Sequence, residues 1–128
     1  LDTSAWIVIA TNTEYQGGHF SKEYGSHTPV THLIAIAEAT SLHHRGRLGR
    51  DGHEILTLMR GFSREGITEI DAVYAAQTHA RKRKEGGKAS MMDCLMHAAA
   101  VRINAPFLTT DRDLDGEPNV VVLPRVEP

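Results

Sequence analysis

Short apolar segments alternate with longer segments of helical character along this chain. Residues 105–110 (APFLTT) and 119–123 (NVVVL) favour buried strands, and residues 28–31 (TPVT) form a short extended segment. Helical patterns cover four other segments, at residues 31–44, 53–62, 68–84 and 90–104. Strands separated by helices usually pair in parallel. We therefore predict an α/β fold with a mostly parallel central sheet flanked by helices.

Local signals also predict where the helices end and which side chains they align. Thr31 is a plausible N-cap for the first of these helices, which should stop at Gly46, and Thr68 opens a longer helix. Two helices align side chains along one side: Ile55, Leu58, Met59 and Phe62 on one, and Ile70, Val73, Tyr74 and Gln77 on the next. The polar stretch 11–26 is rich in glycine and is expected to be a loop or a frayed helix.

The size and composition are those of one globular domain. A chain of 128 residues with 41% hydrophobic residues can bury one core, so a single domain over residues 1–128 is expected. Asp2 follows Leu1 directly, which leaves no room for a strand before it, and the first strand is expected to be truncated. Cys94 is the one cysteine, and no apolar run approaches the roughly 20 residues of a membrane span. We expect a soluble, cytoplasmic protein.

Glu38 is the strongest physical anomaly in the sequence. On a helix it shares a stripe with Ile34 and Leu42, a face that is expected to be buried. An ionised carboxylate that leaves water without a partner is very costly, so Glu38 needs a cation, a hydrogen-bond donor or a metal. The alternative is a glutamate at the edge of the stripe, a common position for this residue.

Asp93 raises the same question on a later helix, where it shares a face with Met96, His97 and Ala100. Ser90 and Asp93 also have the spacing of a capping box, in which the third helical residue reaches back to the cap. A capping role and a functional role both stay open for Asp93.

Two further aspartates lie where strands are expected to end. Asp111 follows the apolar segment 105–110, and α/β sheets bind ligands at the carboxyl ends of their strands. Asp2 has a similar setting, although its strand is missing. Either residue could instead cap the turn or helix that follows it. An EF-hand loop beginning at Asp111 is excluded, because its twelfth position, which must be a bidentate glutamate, is Val122.

These four carboxylates predict a metal centre if they converge on one end of the sheet. Carboxylates packed together without cations would repel one another and protonate. Mg²⁺ and Mn²⁺ prefer oxygen ligands and need only a few carboxylates. The sequence shows no Ser-His-Asp or Cys-His arrangement, so water is the expected nucleophile.

Four short motifs, in this order, carry a family resemblance: Asp2-Thr3-Ser4-Ala5, residues 31–38 (THLIAIAE), residues 90–100 (SMMDCLMHAAA) and residues 109–113 (TTDRD). The ordered set resembles a PIN domain. It is most similar to the VapC toxins of the bacterial and archaeal VapBC toxin–antitoxin pairs. The stretch 11–26 shows no clear family pattern.

The resemblance implies a negatively charged pocket that binds Mg²⁺ or Mn²⁺ and hydrolyses RNA, with a small antitoxin protein and a second copy of the chain as partners. It implies catalytic roles for Asp2, Glu38, Asp93 and Asp111, of which Asp2, Asp93 and Asp111 would bind the metal. Asp113 would be a supporting acid. The hydroxyl of Thr3 or Ser4 and that of Thr109 or Thr110 could orient a metal-bound water.

Two basic clusters could hold RNA phosphates beside such a pocket. The first comprises Arg45, Arg47 and Arg50 on a glycine-rich connector, and the second begins with Arg81, Lys82 and Arg83 near a helix end. The net charge of −2 gives no overall basic surface, so binding would depend on these local clusters. The alternative for the second cluster is a solvated helix end whose cations suit the helix dipole.

Three functions stay open at this point. The first is the ribonuclease toxin of a toxin–antitoxin pair, and the second is a PIN-type RNA-processing nuclease that works without an antitoxin. The third is a non-catalytic domain that kept the acidic pocket, although such a domain should lack one acid and none is missing. A phosphoacceptor receiver domain fits poorly, because its acids lie on loops whereas Glu38 and Asp93 lie within predicted helices.

Overall fold

The computed structural model describes residues 1–11 and 29–123. The chain forms two compact units, one of Leu1 with Thr3–Glu65 and the other of Asp2 with Gly66–Pro128. Each unit contains helices and one pair of parallel strands, so the α/β class and the parallel pairing are confirmed. The strands of the described residues form two separate two-stranded sheets. The single domain over residues 1–128 stays a prediction.

The described residues of the first unit, 1, 3–11 and 29–65, form three α-helices, a 3-10 turn and a pair of short strands. Its elements, in chain order, are α1 (Thr3–Thr11), β1 (Val30–His32), α2 (Leu33–His44), the 3-10 turn (Gly49–Asp51), α3 (Gly52–Arg60) and β2 (Ser63–Glu65). The strands β1 and β2 run parallel, with Val30 opposite Ser63 and His32 opposite Glu65. The predicted loop or frayed helix at 11–26 lies outside the described residues, except for Thr11, which ends α1.

The core of the first unit, as far as its residues are described, combines alanines with three larger side chains. The buried hydrophobic residues there are Ala5, Trp6, Ala35, Ala39, Ile55 and Met59. Trp6 stacks on Phe62 with ring centroids 5.7 Å apart. Phe62 lies beyond the end of α3, so its predicted place on that helix is wrong. Of the other residues predicted on this side of α3, Ile55 and Met59 are buried and Leu58 is exposed.

The start of α2 differs from the sequence prediction by one residue. His32, not Thr31, is the N-cap, and its Nδ1 accepts a hydrogen bond of 3.0 Å from the Ile34 N–H. The Thr31 hydroxyl is used elsewhere, since it donates to the carbonyl of Met59 at 2.7 Å. Helix α2 ends just before Gly46, as predicted, because Gly46 has a φ of +70°, which favours glycine.

The second unit pairs two long helices with the second pair of strands. Its elements are α4 (Glu69–Lys84), α5 (Met91–Arg102), β3 (Phe107–Thr109) and β4 (Val120–Val122). Strands β3 and β4 run parallel, with Phe107 opposite Val120 and Thr109 opposite Val122. Helices α4 and α5 pack against each other, and α5 buries a continuous run of residues from Met96 to Ala100.

Helix α4 buries a different side from the one that sequence periodicity indicated. Ile70 is 71% exposed and Val73 is 54% exposed, whereas Asp71 is fully covered. Asp71 forms a capping box with Thr68 and accepts two hydrogen bonds from Arg102, of 2.9 and 3.2 Å. Burial raises the pKa of Asp71, but the hydrogen bonds from Arg102 and Thr68 outweigh it and hold the pKa below its usual value. The side of α4 that packs inward therefore carries Asp71, paired with Arg102, and not the predicted apolar residues Ile70 and Val73.

Among the helices of residues 1–11 and 29–123, none is both long enough and apolar enough to cross a bilayer.

Candidate functional site

Four aspartates from three separate parts of the sequence line one pocket in the second unit. The pocket is small, with a cavity volume of about 10 Å³, and its lining consists of Asp2, Asp93, Asp111 and Asp113 with Phe107, Thr109 and Leu114. We call this the acidic pocket. Three of the four predicted catalytic carboxylates are thus brought together, along with the predicted supporting acid.

Asp2 is anchored to the end of β3 by both its backbone and its side chain. Its N–H donates to the Leu108 carbonyl at 3.0 Å, and its carboxylate accepts a hydrogen bond from the Thr109 hydroxyl. The Thr109 oxygen in turn accepts the Asp111 N–H at 3.0 Å. One buried hydroxyl therefore connects two of the pocket aspartates. Its single proton is donated to Asp2, so Thr109 orients a carboxylate of the pocket, and its predicted role toward a water stays a prediction.

Asp93 lies in the first turn of α5, where capping and pocket placement occur together. Ser90 is the N-cap, and its hydroxyl accepts the Asp93 N–H at 3.1 Å. The half-buried Asp93 side chain also lines the acidic pocket. The positive end of the helix dipole stabilises a carboxylate at this position. Ser90 is therefore the cap of α5, and the functional role of Asp93 stays a prediction.

Asp111 and Asp113 belong to the loop of residues 110–119 that joins β3 to β4, which we call the acidic loop. The Asp111 carboxylate accepts the Asp113 N–H at 3.0 Å, which closes a tight local turn. Burial raises the pKa of Asp113, and the neighbouring charge of Asp111 raises it further. The two acids are thus close enough to repel each other.

The donor chemistry of the acidic pocket fits a hard divalent cation. Carboxylate oxygens are the ligands that Mg²⁺ and Mn²⁺ prefer, and a cation would relieve the repulsion that raises the pKa of Asp113. In the described part of the chain, no group of three or more histidine, cysteine or acidic side chains is already arranged to hold a metal ion. The acidic pocket therefore brings suitable ligands together without arranging them as a complete coordination sphere.

Glu38, the remaining predicted catalytic carboxylate, belongs to the first unit. It is half-buried on α2, and its carboxylate accepts the Thr3 hydroxyl at 2.7 Å. The fully buried positions of α2 are Ala35 and Ala39, so the prediction of a buried stripe through Glu38 is wrong. Glu38 lies at the edge of that face, with a hydrogen-bond donor of the kind its partial burial requires. Its catalytic role stays a prediction.

The other predicted hydroxyl residues occupy two different settings. Thr3 and Ser4 are half-buried in the first turn of α1, in the first unit. Thr110 is buried in the second unit, between Thr109 and Asp111 in the chain. The roles proposed for these hydroxyls stay predictions.

The first basic cluster is fully exposed in the first unit, on the connector between α2 and α3, where it comprises Arg45, Arg47 and Arg50.

The second basic cluster, at the end of α4, is partly occupied by an acid that sequence reasoning missed. Glu117 pairs with Arg81 and also lies 3.7 Å from the Lys82 ammonium. Arg83 is exposed and donates to His79 at 3.4 Å. The hydrogen bond from Arg81 holds the pKa of Glu117 below its usual value. No sequence pattern links Glu117 to cations that lie more than thirty residues earlier.

His97 is a second residue whose role became visible only in the structure. Its ring is fully buried, and its Nε2 lies 2.7 Å from the Pro118 carbonyl, the next residue after Glu117. The ring also contacts Phe107 edge-on and Tyr74, with centroids 5.7 and 5.9 Å away. Burial lowers the pKa of His97, so the ring is neutral near pH 7 and its Nε2–H donates to Pro118. His97 is therefore a buried structural histidine that joins α5 to the acidic loop.

Comparison with known protein families gives a match that covers most of the chain. The model of the PIN domain family matches residues 1–116, which include every residue of the acidic pocket. No curated protein matches the chain. PIN domains are typically nucleases that depend on divalent metal ions. By this match the chain belongs to the PIN domain family.

Proposed function

We propose that this protein is a Mg²⁺- or Mn²⁺-dependent endoribonuclease that hydrolyses RNA phosphodiester bonds at the acidic pocket. The observation that carries the proposal is the meeting of Asp2, Asp93 and Asp111, which are far apart in sequence, in one pocket with Asp113. Carboxylates that crowd together this way cost free energy unless a cation joins them. Membership in the PIN domain family supports a nuclease over a structural role.

In this proposal Asp2, Asp93 and Asp111 hold the cation, and Asp113 supports them. When bound, the ion lowers the pKa of a water nucleophile and offsets the charge that builds on the leaving oxygen. The chain's own groups prepare the pocket. Thr109 fixes the direction of the Asp2 carboxylate through its hydroxyl proton, and the α5 N-terminus stabilises Asp93. A pocket carboxylate accepts the proton that the attacking water releases.

RNA must approach an acidic pocket through cations that hold its phosphates. Arg83 and Lys88 are candidates, because both charges lower the pKa of Asp113 and so act on the pocket from nearby. The exposed arginines of the first unit and the ends of the Arg81 and Lys82 side chains are further candidates from the sequence. Glu38 is proposed as the fourth catalytic carboxylate on the strength of its motif, and a Glu38→Gln variant tests it by loss of cleavage.

We further propose that the nuclease is the toxin of a toxin–antitoxin pair that acts as a homodimer. The support is the ordered set of motifs that resembles the VapC toxins. Expression of the chain alone is then expected to slow growth, and co-expression of a small antitoxin that covers the acidic pocket is expected to restore it. Harmless expression of an active enzyme would instead favour an RNA-processing nuclease.

Asp93→Asn tests the nuclease proposal most directly, because the change removes a charge from the pocket and preserves the side-chain shape. Cleavage of a labelled single-stranded RNA with Mn²⁺ is expected to fall more than about 100-fold, since loss of even a supporting group near a metal costs about 10–100-fold. The control is Asp115→Asn, which removes the same charge from an exposed part of the acidic loop. Circular dichroism checks that both variants fold.

Two results of this test would contradict the proposed mechanism, and a third would favour a different function. Undiminished cleavage by a pure Asp93→Asn preparation, or cleavage that persists in a chelator, contradicts the proposed mechanism. Wild-type protein that binds Mn²⁺ and RNA but cleaves no RNA favours the non-catalytic binding domain.

A further inference from the structure

The far end of the acidic loop is tied to the two long helices of the second unit. Glu117 makes a two-pronged contact with Arg81, in which Nη2 pairs with Oε1 and Nη1 donates to Oε2 at 3.3 Å. The next residue, Pro118, accepts from His97 on α5 through its carbonyl. Two consecutive residues of the loop are therefore held by side chains of α4 and α5.

The Glu117 contact differs from the other ion pair of the loop. Arg112 and Asp115 lie 3.7 Å apart with side chains that are 82% and 54% exposed, and such pairs contribute little in water. The Glu117 side chain is 9% exposed, and Lys82 joins Arg81 at the same carboxylate. Two hydrogen bonds from a planar guanidinium also define a direction, which a single surface contact does not.

Short-range backbone hydrogen bonds hold the segment between Glu117 and the pocket acids. The Glu117 N–H donates to Leu114 at 3.1 Å, and the Asp115 N–H donates to Arg112 at 3.0 Å, so the loop is a series of tight turns. Leu114 is buried and lines the acidic pocket. A displacement of Glu117 is thus passed through Leu114 to the segment that carries Asp113.

The loop needs such a tie because its acids face like charges. Asp111 and Asp113 share the pocket with Asp2 and Asp93, and the hydrogen bond of 3.0 Å from the Asp113 N–H to the Asp111 carboxylate keeps these two acids close together. Repulsion favours loop positions that separate the acids, whereas a cation requires them close together.

We propose that Glu117 is a positioning residue, which through its pair with Arg81 and Lys82 holds the acidic loop where Asp111 and Asp113 can share a divalent cation with Asp2 and Asp93. This inference rests on the proposed function for the cation itself. It assigns a role in metal affinity to an ion pair outside the pocket.

Mn²⁺ binding to the full chain, followed by electron paramagnetic resonance of the free ion, tests the inference without RNA. Glu117→Gln is expected to raise the Mn²⁺ dissociation constant about 10-fold, at the low end of the effect of supporting groups around metals. Cleavage at saturating Mn²⁺ is expected to stay within about 3-fold of wild type, since the ligands themselves are unchanged. Asp115→Asn removes an equal charge from the same loop and is expected to change the dissociation constant less than about 2-fold.

Arg81→Gln breaks the same contact from the exposed side of α4, so it tests the inference even if Glu117→Gln folds poorly. Its effect on Mn²⁺ affinity is expected to match that of Glu117→Gln, and the double variant is expected to be no worse than either one. Equal Mn²⁺ affinity in wild type and both single variants overturns the positioning role, and so does an equal loss in Asp115→Asn. Wild-type protein that binds no Mn²⁺ overturns the proposed metal dependence as well, which separates the two failures.

Discussion

The bridge between Asp2 and Asp111 through the Thr109 hydroxyl can be broken by a change of nearly constant shape. Thr109→Val replaces the hydroxyl by a methyl group at a position that is 2% exposed. The variant loses the hydrogen bond that Thr109 donates to Asp2 and the bond that it accepts from Asp111. Both losses fall on the acidic pocket.

The magnitude follows from the burial of the two partners. A hydrogen bond to a charged group contributes about 1.5–3 kcal/mol, and a neutral backbone bond about 0.5–1.5 kcal/mol. Asp2 is buried, so water cannot replace its lost hydrogen bond, whereas Asp111 is half-buried and water can hydrogen-bond to its N–H. We therefore expect the free energy of unfolding to fall by about 2–3 kcal/mol and the melting temperature to fall by about 10 °C. Mn²⁺ affinity is expected to fall about 10-fold or more, because the Asp2 carboxylate loses its orienting donor.

Urea unfolding followed by circular dichroism at pH 7 measures the loss of stability. Fluorescence is the poorer signal for this purpose, because the one tryptophan, Trp6, belongs to the first unit. The matched control is Thr57→Val on α3, where the exposed hydroxyl donates to the His53 carbonyl at 2.9 Å and a change within about 0.5 kcal/mol is expected. A loss in Thr109→Val no larger than that of the control would refute the bridge as a source of stability and of pocket order.

Three further predictions concern titratable groups of the second unit. The pKa of His97 is lowered in the folded state, so its contribution to stability is complete above about pH 6.5 and decreases as the pH falls toward the folded-state pKa. His97→Gln, which keeps a donor, should flatten the pH dependence of urea unfolding below pH 6.5, and an equal slope in wild type and variant would refute this role of the ring. Asp71→Asn should cost about 2–4 kcal/mol at pH 7, since Arg102 is partly exposed, and the difference from wild type should shrink below about pH 4 because the lowered pKa of Asp71 stabilises only the ionised form. An unchanged difference at pH 2.5 would contradict that linkage. Burial raises the pKa of Cys94 to about 11, so iodoacetamide should alkylate the folded protein at pH 8 about 100-fold more slowly than the urea-unfolded chain, as mass spectrometry would show.

The sequence was sufficient to predict features that depend on local chemistry. The capping signals at Thr68 and Ser90 and the glycine after α2 set helix ends correctly, because caps and turns involve residues only a few positions apart. The β-branched run before Leu123 marked a strand for the same reason. The positions of Asp2 and Asp111 at predicted strand ends and of Asp93 near a helix start also indicated the acidic pocket. Parallel strands bring such positions to the same edge of a sheet.

Features that depend on long-range contacts could not be predicted from the sequence. The apolar periodicity of α4 indicated a side with Ile70 and Val73, but Arg102, thirty-one residues after Asp71, provides the ion pair that places Asp71 inside. Glu38 was assigned to a buried stripe, whereas the small side chains of Ala35 and Ala39 permit the closest packing and leave Glu38 at the edge. The spacing of hydrophobic residues predicts which side of a helix is apolar, but it does not indicate whether a polar side chain has a hydrogen-bond partner in the fold.

The acidic pocket shows the same division. The sequence alone indicated Asp2, Asp93, Asp111 and Asp113 for this pocket, because their motifs are local properties of the chain, but it grouped Glu38 with them, and Glu38 belongs to the first unit. Only the tertiary structure decided what holds them in place: the hydroxyl of Thr109 between Asp2 and Asp111, and the pairing of Glu117 with Arg81 at the end of α4. Hydrogen bonds and ion pairs act over a few ångströms, so partners that are 36 or 107 residues apart meet only after the chain has folded.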